Sequence, residues 1–186
     1  WFEDLRTRIC AAFEAIEREA GSDASFEYIA WDREGEGITP GPLATGGGGG
    51  GVRGVMRGKV FEKVGVNVST VGGEFAPDFA GQIHGAAENP GFFATGISLV
   101  AHMQNPHAPA VHMNTRMFWT PGAAWFGGGS DLNPAIEYAE DTAHFHAEMQ
   151  TACDAHSPDY YTRFKAWADE YFFVPHRGRA RGVGGI

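Results

Sequence analysis

The segment 97–131 holds the side chains of this chain that are best suited to chemistry, because titratable and hydrogen-bonding groups are concentrated there. Histidine exchanges protons near neutral pH, and arginine can hold a carboxylate through two parallel hydrogen bonds. The groups concerned are His102, His112, Asn114, Arg116 and Asp131. So many titratable and hydrogen-bonding side chains are unusual in a segment with the alternating pattern of β-strands. The elements that carry these side chains determine which of them can act together.

Two strands are predicted in this segment, over 97–101 and 110–118, because apolar and β-branched residues alternate with polar ones. Pro106 and Pro109 interrupt the pattern between them, which indicates a β-hairpin with a loop of about eight residues.

Residues two apart on a strand share a face, so His112, Asn114 and Arg116 should point to the same side of the predicted hairpin. Ser98 and His102 share a face of the first strand in the same way. We therefore expect folding of the hairpin to bring His102 toward His112, although sequence does not fix the register.

Asp131 has two interpretations of equal weight. The glycines at 127–129 should end a strand and place Asp131 at a sharp turn, where a backbone can approach a ligand closely. Alternatively, Asp131 belongs to the start of a helix, with Asn133 as its N-cap and Pro134 in its first turn. In the first interpretation Asp131 takes part in the chemistry of the site, and in the second it only stabilises the start of a helix.

Other patterns predict the framework around this segment. Residues 1–20 repeat apolar side chains at helical spacing, and a further helix is expected over 158–172 after Ser157. Strands are expected over 26–31, 52–56 and 59–71. The glycine run 46–51 is typical of a flexible loop. The side chains expected in the core from the two helices are Phe2, Leu5, Ile9, Phe13, Ile16, Tyr160, Phe164, Trp167 and Tyr171.

Composition excludes several classes of protein. The formal net charge is −9 and the pI is about 5.3, which argues against nucleic acid or an anionic membrane surface as a partner. No apolar run is long enough to predict a membrane span. Two cysteines without a CxxC pair indicate neither a disulfide framework nor a thiolate zinc site. We expect one domain over 1–186, located in the cytoplasm.

Four motifs resemble the oxygen-dependent coproporphyrinogen III oxidase family. They are VFEKVGVNVS at 60–69, NPHAPAVHMNTR at 105–116, WFGGGSDLNP at 125–134 and HRGRARGVGGI at 176–186. The resemblance covers essentially the whole chain, with Met103 standing where proline is common in the family. It also implies that this chain lacks the C-terminal third of the family.

The resemblance implies an activity and a fold. The activity is oxidative decarboxylation of two propionate groups of coproporphyrinogen III to vinyl groups with O2, which gives protoporphyrinogen IX for haem biosynthesis. The fold is an α+β fold with a large, flat antiparallel β-sheet covered by helices on both faces. The complete protein is expected to be a homodimer.

The resemblance also assigns site residues. His112 is the expected proton donor, and the Asp131 carboxylate is expected to contact the pyrrole nitrogens. The expected substrate-binding residues are Ser98, Asn114, Thr115 and Arg116. Two alternatives are a non-catalytic tetrapyrrole-binding fragment and a histidine-metal oxygenase that acts on another small acid.

No cofactor beyond O2 is expected, although the resemblance leaves room for a divalent metal such as Mn. The histidines at the positions proposed as ligands in some bacterial relatives are His102, His112, His146 and His176. Imidazole suits Mn, Fe or Zn, but the fold would have to bring these distant residues together. His146, on the inward side of the predicted helix after Pro134, is more simply interpreted as a hydrogen-bonded core residue.

Overall fold

The computed structural model describes residues 1–35 and 47–186 and contains a six-stranded antiparallel sheet whose strands follow one another in chain order. This confirms the predicted α+β class. The strands are β1 (Glu27–Arg33), β2 (Gly48–Met56), β3 (Phe61–Glu74), β4 (Gly91–Met103), β5 (Ala110–Thr120) and β6 (Ala123–Asn133).

Within the described ranges, four α-helices accompany the sheet, and a short two-stranded pair follows α4. The helices are α1 (Phe2–Glu19), α2 (Pro77–Ala80), α3 (Ala139–Asp154) and α4 (Tyr160–Tyr171). The pair consists of β7 (Phe173–Val174) and β8 (Arg179–Ala180), joined by a 3₁₀ turn at Pro175–Arg177. Among the helices of the part of the chain that the structure describes, none combines the length and the apolar character needed to cross a membrane.

The main core lies between α1 and one face of the sheet. Alternate residues of the central strands point to that face and are buried, and α1 packs on them through Phe2 and Cys10. The buried strand residues are Val64, Val66, Val68, Ile97, Leu99 and Ala101. Ile16, predicted to belong to this core, is 43% exposed. The fully buried residue of that helical turn is Glu17 instead.

Glu17 fastens the end of α1 to the turn between β2 and β3. Its carboxylate accepts hydrogen bonds from the backbone N–H groups of Lys59, Val60 and Phe61 at 2.8–2.9 Å. Burial raises the pKa of Glu17, but these N–H groups favour the charged form and bring the net pKa below its usual value. A Cβ at Gly58 would stand 2.3 Å from the carboxyl group, so this close approach requires glycine.

The glycine run does not form the predicted loop in the part that the structure describes. Gly48–Gly51 are the first residues of β2. All four pair with β3, and Gly49–Gly51 also pair with β1, whereas Gly46 lies outside the described residues. Gly48 and Gly49 adopt φ values of +117° and +130°, which side chains disfavour. A Cβ at Gly51 would stand 2.3 Å from the Val68 carbonyl oxygen. The glycines therefore permit a strand that other residues would distort.

Two helix predictions also need correction. The helix expected directly after Pro134 begins only at Ala139, because β6 continues to Asn133 and a loop follows it. In α4, Tyr160, Trp167 and Tyr171 are 36%, 70% and 79% exposed rather than buried in the core. The buried residue of that helix is Ala168, and Phe164, four residues earlier, is the half-buried member of the aromatic stripe.

We predict that Glu17→Ala lowers the free energy of unfolding by about 3 kcal/mol, because three backbone N–H groups lose their acceptor. Glu19→Ala, at an exposed position of the same helix, is the matched control and should change stability little. Chemical denaturation measures both variants. Equal effects of the two substitutions would show that the Glu17 contacts contribute nothing specific.

The same contact predicts a pH dependence. Because the folded-state pKa of Glu17 is lowered, its contribution to stability is present above the unfolded-state pKa and is lost as pH falls through the folded-state pKa. Glu17→Gln should therefore flatten the acid side of the stability curve relative to the parent chain. Denaturation series from neutral to acid pH provide the comparison.

Candidate active site

A polar surface covers the sheet face that points away from α1, here called the open face. Residues opposite one another on antiparallel strands share a face. One such row across the sheet is Arg53, Asn67, Ser98 and Asn114. Ser98 and Asn114 are half-buried, whereas Arg53 and Asn67 are exposed. The expected helical cover is therefore found over the α1 face, while this row on the open face remains accessible.

The predicted hairpin is confirmed as β4 and β5, and it fixes the register of the candidate residues. Ser98 lies opposite Asn114, and Val100 lies opposite His112. His102 shares their face but is exposed at the end of β4, beside Lys63 of β3. The hairpin thus places Ser98, Asn114 and His112 together, with His102 at the margin.

His112 and Asp131 form the chemical centre of the open face. They are register partners on β5 and β6, and His112 Nδ1 lies 2.9 Å from Asp131 Oδ1. The Ser130 hydroxyl donates to the His112 carbonyl oxygen at 3.0 Å, which adds a second link between these strands. Asp131 therefore lies inside a strand, and the predictions of a helix start and of a sharp turn were both wrong.

Asp131 has no exposed surface, and hydrogen-bond donors occupy both carboxylate oxygens. Oδ1 faces His112, while Oδ2 accepts from Arg181 Nη2 at 3.0 Å and from the Asn133 side-chain amide. Burying a carboxylate is costly unless it is paired in this way. In this arrangement a direct contact between Asp131 and a ligand would require a donor to be displaced.

The chain segment 183–186 completes the enclosure of Asp131 by pairing with the free edge of β6. Ser130 and Ile186 exchange two backbone hydrogen bonds at 3.1 Å, and Val183 N–H donates to Leu132 O at 3.0 Å. Gly185 bridges to Asp131 itself, where a Cβ would stand 1.7 Å from the Ser130 carbonyl oxygen. The glycines near the chain end are therefore a steric requirement of this edge.

The partners of His112 decide which of its ring nitrogens is available. A carboxylate can only accept, so Nδ1 carries hydrogen toward Asp131, and in the neutral ring Nε2 then keeps its lone pair. The His112 side chain is 31% exposed, which leaves the ring accessible from the open face. This arrangement allows Nε2 to accept a proton and, once protonated, to donate it.

Arg116 supplies positive charge on the same face. Its Nη2 donates to Asn114 Oδ1 at 3.0 Å, and its side chain is exposed. Thr115 pairs with Ile97 and points to the α1 face instead. The structure thus groups Asn114, Arg116 and Ser98 with His112, and it separates Thr115 from them.

An aromatic group adjoins Arg116 at the next row of the open face. Phe118 stacks on Trp125 with ring centroids 5.0 Å apart, and Phe92 lies 5.8 Å from Phe118. Phe75 stacks on Phe92 at 4.6 Å and extends the group. An apolar surface therefore borders the cationic and hydrogen-bonding residues.

The four histidines predicted as metal ligands are not gathered. His146 Nε2 lies 3.0 Å from Val183 O, and its Nδ1 lies 3.0 Å from the Tyr161 hydroxyl, so His146 is hydrogen-bonded as predicted, although it is half-buried rather than in the core. His102 and His176 are exposed. Across residues 1–35 and 47–186, no group of three or more His, Cys, Asp or Glu side chains is arranged to hold a metal ion.

Sequence reasoning missed the role of Arg181, which the structure places on Asp131. A signal was available, because His176, Arg177, Arg179 and Arg181 concentrate positive charge within a chain of net charge −9. Asn67 was missed as well, although its alternation with Val66 and Val68 assigns it to the polar face.

We predict that Asp131→Asn lowers the free energy of unfolding by about 2–4 kcal/mol, because the amide places a donor among donors and leaves Arg181 without its buried partner. Asp141→Asn is the matched control, since Asp141 is an acid in the first turn of α3. Denaturant titration compares the two variants. A silent Asp131→Asn would argue that the buried ion pair contributes no stability.

Comparison with known proteins places these features in context. The family model described as coproporphyrinogen III oxidase matches residues 1–186. The oxygen-dependent coproporphyrinogen-III oxidases of Rickettsia bellii (strain RML369-C) and Rickettsia akari (strain Hartford) are 49% and 47% identical to this chain over 191 aligned residues. The alignments cover 100% of this chain and 64% of each relative, so the chain spans about two thirds of their length.

Proposed function

Because this chain belongs to the coproporphyrinogen III oxidase family, we propose that it serves the oxidative decarboxylation of coproporphyrinogen III to protoporphyrinogen IX with O2. The observation that carries this proposal is the His112–Asp131 pair, which lies on the same sheet face as Arg116 and Asn114. That face offers a cation, neutral hydrogen-bonding groups and a group that can exchange protons. A carboxylate-bearing tetrapyrrole needs all three.

Each of the two reaction steps converts one propionate to a vinyl group. The β-carbon loses one hydrogen together with the two electrons of its C–H bond, and O2 takes up these two electrons. The carboxylate leaves as CO2, and the electron pair of the broken C–C bond forms the double bond of the vinyl group. With one proton added, the balance is propionate plus O2 plus H⁺ giving vinyl, CO2 and H2O2. The oxidant is supplied by O2, the property named in the relatives.

The residues of the open face divide this task. Arg116 binds a propionate that is not reacting, with the planar guanidinium geometry that suits a carboxylate. Ser98 and Asn114 hydrogen-bond the substrate beside it. His112 exchanges a proton through Nε2, and Asp131 orients the ring through Nδ1. The stack of Phe92, Phe118 and Trp125 gives the apolar parts of the macrocycle a surface to pack against.

A resident metal has no assigned step in this proposal. His146 uses both ring nitrogens in hydrogen bonds, and within the part of the chain that the structure describes the four histidines are not arranged around a common ion position. These histidines therefore do not fit a shared ion such as Mn. We propose O2 as the only co-reactant, and metal analysis of the purified chain before assay tests this point.

We further propose that the protein works in the cytoplasm as a homodimer. The buried free thiols of Cys10 and Cys153 support a reducing compartment, because neither is paired. The exposed side chains of Trp167 and Tyr171 support association, since large exposed apolar surfaces commonly mark interfaces. Analytical ultracentrifugation tests the oligomeric state.

The activity is tested by incubating the purified chain with reduced coproporphyrinogen III, with and without O2, and separating the products by chromatography. A relative of full length serves as the positive control. Oxygen-dependent product is expected, and His112→Ala should lower its rate by about 10²- to 10⁴-fold. Binding without turnover would indicate a tetrapyrrole-binding protein, and absence of both would overturn the proposal.

Arg116→Lys tests the substrate clamp separately from the chemistry. Lysine keeps the charge but loses the planar pair of donors, so binding should weaken by about 1.5–3 kcal/mol. Arg177→Lys, at an exposed position in the turn between β7 and β8, is the control. Fluorescence titration with the oxidised porphyrin measures both, and unchanged affinity for Arg116→Lys would assign Arg116 a general electrostatic role.

A further inference from the structure

We infer that Arg181 is a positioning residue that acts through Asp131 to keep His112 Nε2 free of hydrogen. Only the catalytic consequence of this inference rests on the proposed function. The inference itself concerns three side chains joined by hydrogen bonds, with Arg181 Nη2 3.0 Å from Asp131 Oδ2 and Asp131 Oδ1 2.9 Å from His112 Nδ1.

The burial of Asp131 creates the requirement that Arg181 meets. A carboxylate without exposed surface needs a positive charge or several hydrogen-bond donors. Glu17 has three backbone N–H donors, whereas without Arg181 the Asp131 carboxylate would keep only the Asn133 amide and His112, which favours uptake of a proton by this pair. Asn133 is neutral and supplies only a hydrogen bond. Arginine remains charged under all conditions in which the protein is folded, so Arg181 compensates Asp131 permanently.

Removal of that charge has the same result for His112 by either of two routes. If His112 takes up a proton to compensate Asp131, both ring nitrogens carry hydrogen. If Asp131 itself is protonated and donates, Nδ1 becomes the acceptor and the neutral ring must carry its hydrogen on Nε2. Either route puts hydrogen on Nε2 in the resting protein, so Nε2 can no longer accept a proton, which the proposed exchange of a proton requires.

The structure holds Arg181 in place for this role. Its guanidinium lies 4.6 Å from the centre of the Phe172 ring, and the segment after it pairs with β6. Its side chain is 49% exposed, so one edge is committed to Asp131 while the other faces solvent.

Other charged or titratable groups around His112 are further from its ring nitrogens in the register of the sheet. On β4 its partner is the neutral Val100, and His102 lies two positions along, beside Lys63 of β3. On β5 itself, Arg116 shares the face four residues away, roughly 13 Å along the strand. Asp131 and, through it, Arg181 are therefore the groups that decide the hydrogen positions on His112.

The test is ¹⁵N NMR of the chain labelled at histidine, with the His112 signals assigned from His112→Gln. In the parent chain at neutral pH, we expect Nε2 to give the signal of an unprotonated ring nitrogen and Nδ1 that of a protonated one. Arg181→Met should convert Nε2 to the protonated type, and Arg181→Lys should restore the parent pattern in part. Arg177→Met, in the same basic segment, should leave His112 unchanged.

Several outcomes would overturn the inference. A parent chain with hydrogen on Nε2 contradicts it directly, even if Arg181→Met fails to fold. An unaltered Nε2 signal in folded Arg181→Met contradicts it as well. These measurements need no substrate, so they decide the inference even where the proposed reaction is not observed.

Turnover provides a second readout that separates positioning from substrate binding. If Arg181 acts through His112, Arg181→Met should lower kcat by about 10²-fold with little change in KM, because the loss falls on proton transfer. A raised KM with unchanged kcat would instead make Arg181 a substrate clamp and would refute the inference.

Discussion

One buried carboxylate, that of Glu17, determines how helix α1 meets the sheet. Three backbone N–H groups at the start of β3 converge on it, and Gly58 leaves the space that this approach needs. With the helix end held there, its apolar side covers the face of Val64, Val66 and Val68. Strand alternation then places Asn67, Ser98 and Asn114 on the opposite face. Because α1 is fixed on one face of the sheet, the polar residues of the central strands remain accessible on the open face.

Asp131 repeats this use of a buried carboxylate with a different set of partners. Glu17 is satisfied by backbone N–H groups, which never change their charge, whereas Asp131 is satisfied by side chains of which one can titrate. The first arrangement serves only the architecture. The second couples architecture to proton chemistry, because the partner on one oxygen of Asp131 is an accessible histidine and the partner on the other is a permanent cation.

Local patterns predicted the elements that depend on local forces. The period of α1, the β4–β5 hairpin and the shared face of His112, Asn114 and Arg116 all follow from spacing alone. The glycine segments could not be predicted in this way. Gly48–Gly51 and the glycines at 127–129 read as loop or turn, yet they lie in strands, and at Gly51 and Gly128 a carbonyl oxygen of the neighbouring strand stands 2.3 Å from the position of a Cβ. The role of Asp131 could not be predicted either, because the glycines before it favoured a turn or a helix start over a strand. Its partner Arg181 lies 50 residues away in the chain, and the basic segment that contains Arg181 does not by itself indicate that Asp131 is its partner.

The separation of the partners of Asp131 along the chain has a consequence for synthesis. His112 is 19 residues before Asp131 and can meet it as soon as the β5–β6 hairpin leaves the ribosome, but Arg181 is translated 50 residues later. At roughly 5–20 residues per second, the nascent chain spends several seconds with this carboxylate lacking its arginine and with the β6 edge unpaired. During that interval the outer edge of β6 is open to pairing with another chain. Arrival of 181–186 therefore both closes the sheet edge and completes the site.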